Sequence, residues 1–164
     1  MTIEKRKTKV SYVPFVGNLE HYVGRSALEY YSWAHIDMGI AAFLFLSFIL
    51  SFLGTWIIMG FVIIFGIVWE ILENTILYWI GWRPSTRRDS IVNAIWDIFL
   101  VCSGGMIILL SQWLIIDIFL ETLVLFYIFG IVIFIAILIC YFIGFYITNQ
   151  NTKEARKERK KLVS

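Results

Sequence analysis

Four long runs of apolar residues are the feature that most constrains the fold of this chain. Each run is about as long as, or longer than, the roughly 20 residues that a helix needs to cross the hydrocarbon core of a bilayer. A lipid-exposed backbone must satisfy its own hydrogen bonds, and strand-like alternation is absent from the runs. With only 16% charged residues, the chain also has too little polar surface for a soluble globule. The sequence therefore predicts an all-α, polytopic membrane protein with a four-transmembrane-helix bundle.

The predicted organisation has three parts. Residues 1–33 form a basic tail followed by a short interfacial helix over about residues 18–33, where aromatic and aliphatic residues mix with charged ones. Residues 34–148 form the transmembrane domain, and residues 149–164 form a basic tail. The four spans are predicted at about Ala34–Leu53, Trp56–Ile80, Asp89 or Ser90 to Ser111, and Thr122–Ile147.

The basic residues predict how the bundle is oriented. All 14 Lys and Arg residues fall before the first span, between the second and third spans, or after the fourth. Short cytoplasmic segments are enriched in Lys and Arg, and the tryptophans at the span boundaries match the aromatic belts of membrane proteins. We therefore expect a multi-pass protein of the cell membrane with both termini in the cytoplasm and Asp117 outside.

The charge balance also bears on the partners. The net charge is only +2, and the basic residues lie at the membrane margins, so nothing indicates a nucleic-acid partner. Membrane lipid is the expected partner. A homo-oligomer is left open by the sequence.

Ionisable and amide side chains interrupt three of the apolar runs. A charged residue at the centre of a membrane helix costs about 2.5–3.5 kcal/mol on insertion scales, so such residues usually have a function or a partner. In the second and third spans they recur at helical spacing, which places each set on one helical face. The sets are Glu70, Glu73 and Asn74 in the second span and Asp89, Asn93 and Asp97 in the third, and His35 opens the first span.

The two sets and His35 lie at the same predicted depth. The second span carries its polar residues in its last third, the third span carries them in its first third, and His35 is in the first turn of the first span. We therefore expect one site in the cytoplasmic third of the bundle. Asp37 lies roughly opposite His35 on its helix, so at least one of the two should point away from the site.

The chemistry of these residues predicts a divalent cation as cofactor. Carboxylates that are crowded in a low dielectric must be protonated, paired with arginine or bound to a cation. Oxygen ligands suit Mg²⁺ or Mn²⁺, and a histidine would also admit Zn²⁺. The candidate metal ligands are Glu70, Glu73, Asp89, Asn93 and Asp97.

The same residue types also have purely structural roles in membrane proteins. Buried Asp, Glu and Asn hold membrane helices together through hydrogen bonds. Arg83, Arg87 and Arg88 can hold a phosphate, but arginines in such a connection also determine topology. Gly39 and the pair Gly104 and Gly105 are expected to be helix-packing positions rather than phosphate-binding ones.

Three motifs carry a resemblance to a known family. They are HIDMG at 35–39, WEILEN at 69–74 and RDSIVNAIWDIFLVCSGG at 88–105. Together they resemble the YjdF-like family of small membrane proteins and, more faintly, the VanZ-like family. The resemblance covers about residues 35–105 and implies a membrane protein with a polar intramembrane site, without an established reaction.

The leading hypothesis is a membrane-embedded enzyme, dependent on a divalent cation, that acts on a lipid or lipid-linked phosphate at the cytoplasmic leaflet. The alternatives are a small cation- or proton-coupled transporter and a structural or partner-binding membrane protein, so enzymatic activity itself is undecided. In the enzyme hypothesis the catalytic residues are His35, Glu70, Glu73 and Asp97, and the substrate-binding residues are Arg83, Arg87, Arg88 and Asn74.

Overall fold

The computed structural model describes residues 13–16, 19, 23–81 and 88–161. Within these residues the fold is all-α without strands, and four helices are long and apolar enough to cross a membrane. This confirms the predicted fold class of a multi-pass four-helix membrane protein. The helices are α1 (Tyr31–Ile49), α2 (Thr55–Leu72, followed by a π-helical turn Glu73–Leu77), α3 (Ile91–Gln112, followed by a π-helical turn Trp113–Ile118) and α4 (Leu123–Lys161).

Local chemistry explains where the helices begin and end. Gly54 has an extended backbone and separates α1 from α2 by a tight turn. Gly81, just beyond α2, has a φ of 71°, a left-handed conformation that commonly ends helices because glycine has no Cβ to clash. Ser90 caps α3, since its side chain accepts a hydrogen bond from the backbone N–H of Asn93 at 3.1 Å.

The segment before α1 differs from its prediction. In the interfacial helix expected over residues 18–33, residues 23–30 form turns and bends, and α1 begins only at Tyr31. Residues 18 and 20–22 of that prediction lie outside the described residues. Gly24 has a φ of 73°, which a right-handed helix does not allow, and its N–H donates to Glu29 Oε1 at 2.8 Å. The carbonyl of Gly24 accepts from the backbone N–H of Ser90 at 2.8 Å, so this segment is attached to the start of α3.

Helix α1 packs against all three other helices, most extensively against α3. The contact between α1 and α3 is close because glycines face backbone on both sides. A Cβ at Gly39 would meet the carbonyl of Val101, and a Cβ at Gly104 would meet the carbonyl of Ile36. This confirms that Gly39 and Gly104 are helix-packing positions.

Helix α4 packs mainly on α1 and is the most exposed helix of the bundle. Gly130 allows it to approach Leu44, and Gly144 allows it to approach Tyr30. Its 39 residues correspond to a length of about 58 Å, well beyond the thickness of a hydrocarbon core. The helix therefore continues through the predicted span into most of the basic tail.

Candidate functional site

His35 is the point at which three helices meet. Its side chain is buried in the first turns of α1. On one edge of the ring, Nδ1 lies 3.0 Å from the carbonyl of Tyr31 and 3.4 Å from Asp97 Oδ1 on α3. On the other edge, Nε2 lies 3.8 Å from Glu70 Oε1 and 3.9 Å from Glu73 Oε2, both from the end of α2. One imidazole therefore faces carboxylates of two other helices.

The hydrogen bond to Tyr31 bears on the tautomer of His35. The carbonyl of Tyr31 can only accept, so a 3.0 Å contact with Nδ1 requires the proton on that nitrogen. In a neutral ring, Nε2 then presents a lone pair towards Glu70 and Glu73. A lone pair and two carboxylates repel one another, so the arrangement needs a proton or a metal cation between them. Metal-binding histidines usually donate their second N–H in the same way.

Asn74 orients Glu70 and connects α2 to α3. Its Nδ2 donates to Glu70 Oε2 at 2.7 Å and to the carbonyl of Glu70 at 3.2 Å. Its Oδ1 accepts from the backbone N–H of Asp89 at 3.0 Å, just before α3 begins. Glu73, one helical turn from Glu70, accepts a hydrogen bond from Trp69 Nε1 at 3.1 Å. The carboxylates of α2 are therefore held in position by neighbouring groups.

The polar residues of α3 are almost fully buried. Asn93 is 1% exposed and Asp97 is 3% exposed, and Asn93 Nδ2 donates to Asp97 Oδ2. Asn93 Oδ1 and Asp97 Oδ1 make no hydrogen bond to any part of the chain that the structure describes. A buried oxygen in this position loses solvation without replacement unless a ligand supplies it.

Among the described residues, two groups of side chains have the spacing of a metal site. One contains His35, Glu70 and Glu73, and the other contains Glu70, Asp89 and Asp97. Within each group the ligand atoms lie within 4.8 Å of one another. Two ligands bonded to one metal at about 2.1 Å lie about 3 to 4 Å apart, so small movements of the side chains would complete either group.

The electrostatics of the site is dominated by carboxylates. Asp97 is close enough to Glu70, Asp89, Glu29 and Glu73 for their charges to act on it. Such a set is unstable as four or five anions in a low dielectric. This set of carboxylates therefore requires bound protons or bound cations.

Of the three predicted arginines, Arg88 lies in the part of the chain that the structure describes. The Arg88 guanidinium lies over the ring of Tyr78, 5.1 Å from its centroid, in a cation–π contact. Arg83 and Arg87 lie outside the described residues. Their proposed contact with a phosphate stays a prediction.

The structure brings together the predicted members of the site that lie on α1, on α2 and at the beginning of α3. Their roles as metal ligands, catalytic groups or substrate contacts stay predictions. Asp37 is not among the side chains that come together. The sequence predicts that at least one of His35 and Asp37 points away from the site, and Asp37 is that residue. It is 5% exposed, and neither of its carboxylate oxygens has a hydrogen-bond partner among residues 13–16, 19, 23–81 and 88–161.

Sequence reasoning misses Glu29, which is only 2% exposed. The pattern of residues 18–33 places it on the polar face of an interfacial helix, whereas its carboxylate accepts from the Gly24 N–H and lies near the site. No motif marks it, because its burial depends on the turn before α1. Its backbone N–H donates to Ser32 Oγ at 3.0 Å, which holds the turn before α1.

An aromatic cluster lies beside the site at the start of α1. The Tyr30 ring is 4.6 Å from the Tyr31 ring and 5.8 Å from that of Tyr141 on α4. Burial raises the pKa of the Tyr30 hydroxyl, and the neighbouring Tyr31 raises it further, so Tyr30 is neutral at physiological pH. This packing fixes the turn whose carbonyl binds His35.

Comparison of the chain with protein-family models, curated proteins and solved structures finds no match. The resemblance to the YjdF-like family therefore stays a prediction carried by its three motifs.

Proposed function

We propose that this protein is a membrane-embedded enzyme that binds a divalent cation and acts on a lipid or lipid-linked phosphate at the cytoplasmic leaflet. The observation that carries the proposal is the environment of His35. Its Nδ1 proton is directed to the carbonyl of Tyr31, and its Nε2 faces Glu70 and Glu73 at 3.8 and 3.9 Å. A divalent cation between Nε2 and these carboxylates would remove the repulsion and complete a ligand set.

The donors indicate which cations fit. A histidine nitrogen with two carboxylates suits Zn²⁺ or Mn²⁺, whereas the oxygen-only group of Glu70, Asp89 and Asp97 suits Mg²⁺ or Mn²⁺. Mn²⁺ is acceptable to both sets of donors. It is therefore the best first probe.

A phosphate-bearing lipid fits the position of the site. The site lies where α1 and α3 begin and where α2 ends, which is one end of the candidate spans. The positive-inside rule predicts that this end faces the cytoplasm. A bound cation would supply charge for a phosphate oxygen, and Arg88 begins the segment that leads into the site. Arg83 and Arg87 are proposed to contact the same phosphate, and Asp97 to act as acid or base.

A transporter is supported less well. Between Thr55 and Trp69 on α2, and between Asp97 and Asp117 on α3, the sequence contains no Asp, Glu, His, Lys or Arg. A path for ions across the remaining half of the bundle would have to be built from other groups. The transporter and structural alternatives become outcomes of the following experiment.

The experiment measures metal content and thermal stability of the purified full chain. We expect bound Mn²⁺ or Zn²⁺, a lower Tm after a chelator, and recovery when the metal is restored. Free cation at 100 times its Kd stabilises a protein by about 2.7 kcal/mol, which corresponds to a Tm shift on the order of 5 °C or more.

Charge-removing variants then separate a cation site from hydrogen-bonding between helices. Asp97→Asn and Glu73→Gln keep the shape of the side chain but should weaken the response to chelator, because each removes one charged ligand. Asp37→Asn is the matched control, because Asp37 is similarly buried in the same bundle but lies outside both ligand groups. If the wild-type protein holds no metal and ignores the chelator, the proposal is wrong.

Activity is tested separately with the metal-loaded protein in lipid nanodiscs. Release or transfer of phosphate from a panel of phospholipids and isoprenoid phosphates is the readout. We expect turnover that requires the cation and is lost in Asp97→Asn but retained in Asp37→Asn. Cation binding without turnover of any phosphate would favour the transporter or structural alternative.

A further inference from the structure

Glu70 is shared by the two ligand groups of the site. Its two oxygens face different neighbours: Oε1 lies 3.8 Å from His35 Nε2, and Oε2 accepts from Asn74, which itself binds the backbone of Asp89. One oxygen therefore faces His35 of α1, and the other faces Asn74, the residue that binds the backbone just before α3. A carboxylate in this position can bind one cation with each oxygen.

A single cation cannot use all of these ligands. An ion bound to His35 Nε2 lies on one edge of the imidazole, next to Glu70 and Glu73. Asp97 Oδ1 lies on the opposite edge, 3.4 Å from Nδ1, whose proton is directed to the carbonyl of Tyr31. Asp97 therefore faces the ring nitrogen that does not bind the first ion.

The α3 side has its own indication of a ligand. Asn93 is only 1% exposed, its Nδ2 is bound to Asp97, and its Oδ1 has no hydrogen-bond partner in the described ranges. Asp97 Oδ1 is in the same situation and belongs to the group formed with Glu70 and Asp89. Two buried oxygens that accept no hydrogen bond beside two further carboxylates form a set of hard donors, which divalent cations prefer.

We infer that the site binds two divalent cations, with the Glu70 carboxylate bridging them. One cation binds His35, Glu70 and Glu73, and the other binds Glu70, Asp89 and Asp97. This inference rests on the proposed function and adds the number of ions and the bridge. Ions bridged by one carboxylate are about 3.5–4 Å apart, the separation that allows both to contact one phosphate group.

The test uses Mn²⁺ alone as the probe and the purified full chain in nanodiscs. Metal analysis should give two Mn²⁺ per chain, and electron paramagnetic resonance should show the exchange-coupled spectrum of a manganese pair. Both measurements use the wild-type protein, so they do not depend on whether a variant folds.

Variants then assign the two ions. Asp89→Asn and Glu73→Gln should each reduce the content from two ions to one and convert the spectrum to that of isolated Mn²⁺. Glu70→Gln should abolish the coupling, and Asp37→Asn should keep two coupled ions.

The outcomes distinguish this inference from the proposed function. One isolated Mn²⁺ per wild-type chain overturns the two-cation inference and leaves the proposed function standing. Two uncoupled ions, or coupling that persists in Glu70→Gln, overturn the bridge. No bound Mn²⁺ overturns the two-cation inference, and a chain that also binds neither Zn²⁺ nor Mg²⁺ overturns the proposed function as well.

Discussion

The close contact between α1 and α3 offers the most direct test of how packing supports the site. Replacing Gly39 by alanine adds one methyl group at the contact. That Cβ would lie 2.8 Å from the carbonyl carbon of Val101 and 2.9 Å from the backbone nitrogen of Gly105, and still closer to the oxygen of Val101. Carbon atoms in contact are normally about 3.5–4.0 Å apart, so the helices must separate by about 1 Å.

The separation would act on the site because both helices carry its ligands. His35 lies one helical turn before Gly39, and Asp97 lies two turns before Gly104 on the facing helix. A shift of about 1 Å would lengthen the 3.4 Å contact between His35 Nδ1 and Asp97 Oδ1 to more than about 4 Å. Overpacking of this kind typically costs about 1–3 kcal/mol, and misplaced ligands would lower cation affinity by about tenfold or more.

The assay measures Tm and Mn²⁺ affinity for Gly39→Ala with Gly60→Ala as control. A Cβ at Gly60 meets no described atom within 4 Å, so this variant makes the same chemical change without a clash. We expect a clear loss of stability and affinity in Gly39→Ala only. If Gly39→Ala matches the control in both measurements, the contact is not what positions His35 and Asp97.

Three further predictions concern other parts of the bundle. Asp37→Leu should raise the Tm, because a buried carboxylate without a hydrogen-bond partner in the described chain is replaced by an apolar group of the same branched shape. A lower Tm would mean that Asp37 binds a ligand. Ser90→Ala should lower the free energy of unfolding by about 1 kcal/mol in thermal unfolding, because the α3 cap is lost. Ser103→Ala is the control and should have little effect, because it removes only a side-chain hydrogen bond within α3. Reporter fusions at Asp117 and Ser164 should locate to opposite sides of the membrane, and the same side for both would contradict the orientation.

Local properties of the sequence were sufficient for the four helices and for the grouping of polar side chains on one face of the second span and of the third. Hydrophobic length determines whether a helix can span a bilayer, and the spacing of Glu70, Glu73 and Asn74 determines that they share a face. The same holds for the polar set of α3. Neither property needs information about the other helices. For this reason the predicted meeting of His35 with carboxylates of the second and third spans agrees with the structure.

The helix expected before α1 shows where local reasoning fails. Apolar and charged residues mix there as in an interfacial helix, but Gly24 adopts a left-handed conformation and binds both Glu29 and the start of α3. The hydrogen bond to Ser90 joins residues far apart in the chain. Composition alone contains no information about such a contact.

Only the tertiary structure decided which way each side chain of the site points. The sequence left open whether His35 or Asp37 faces the cluster, because the rotation of α1 depends on its packing against α3. The close approach at Gly39 and Gly104 sets that rotation and turns His35 towards Glu70 and Asp97. The sharing of Glu70 between two ligand groups likewise depends on distances between three helices, which no periodicity within one helix can specify.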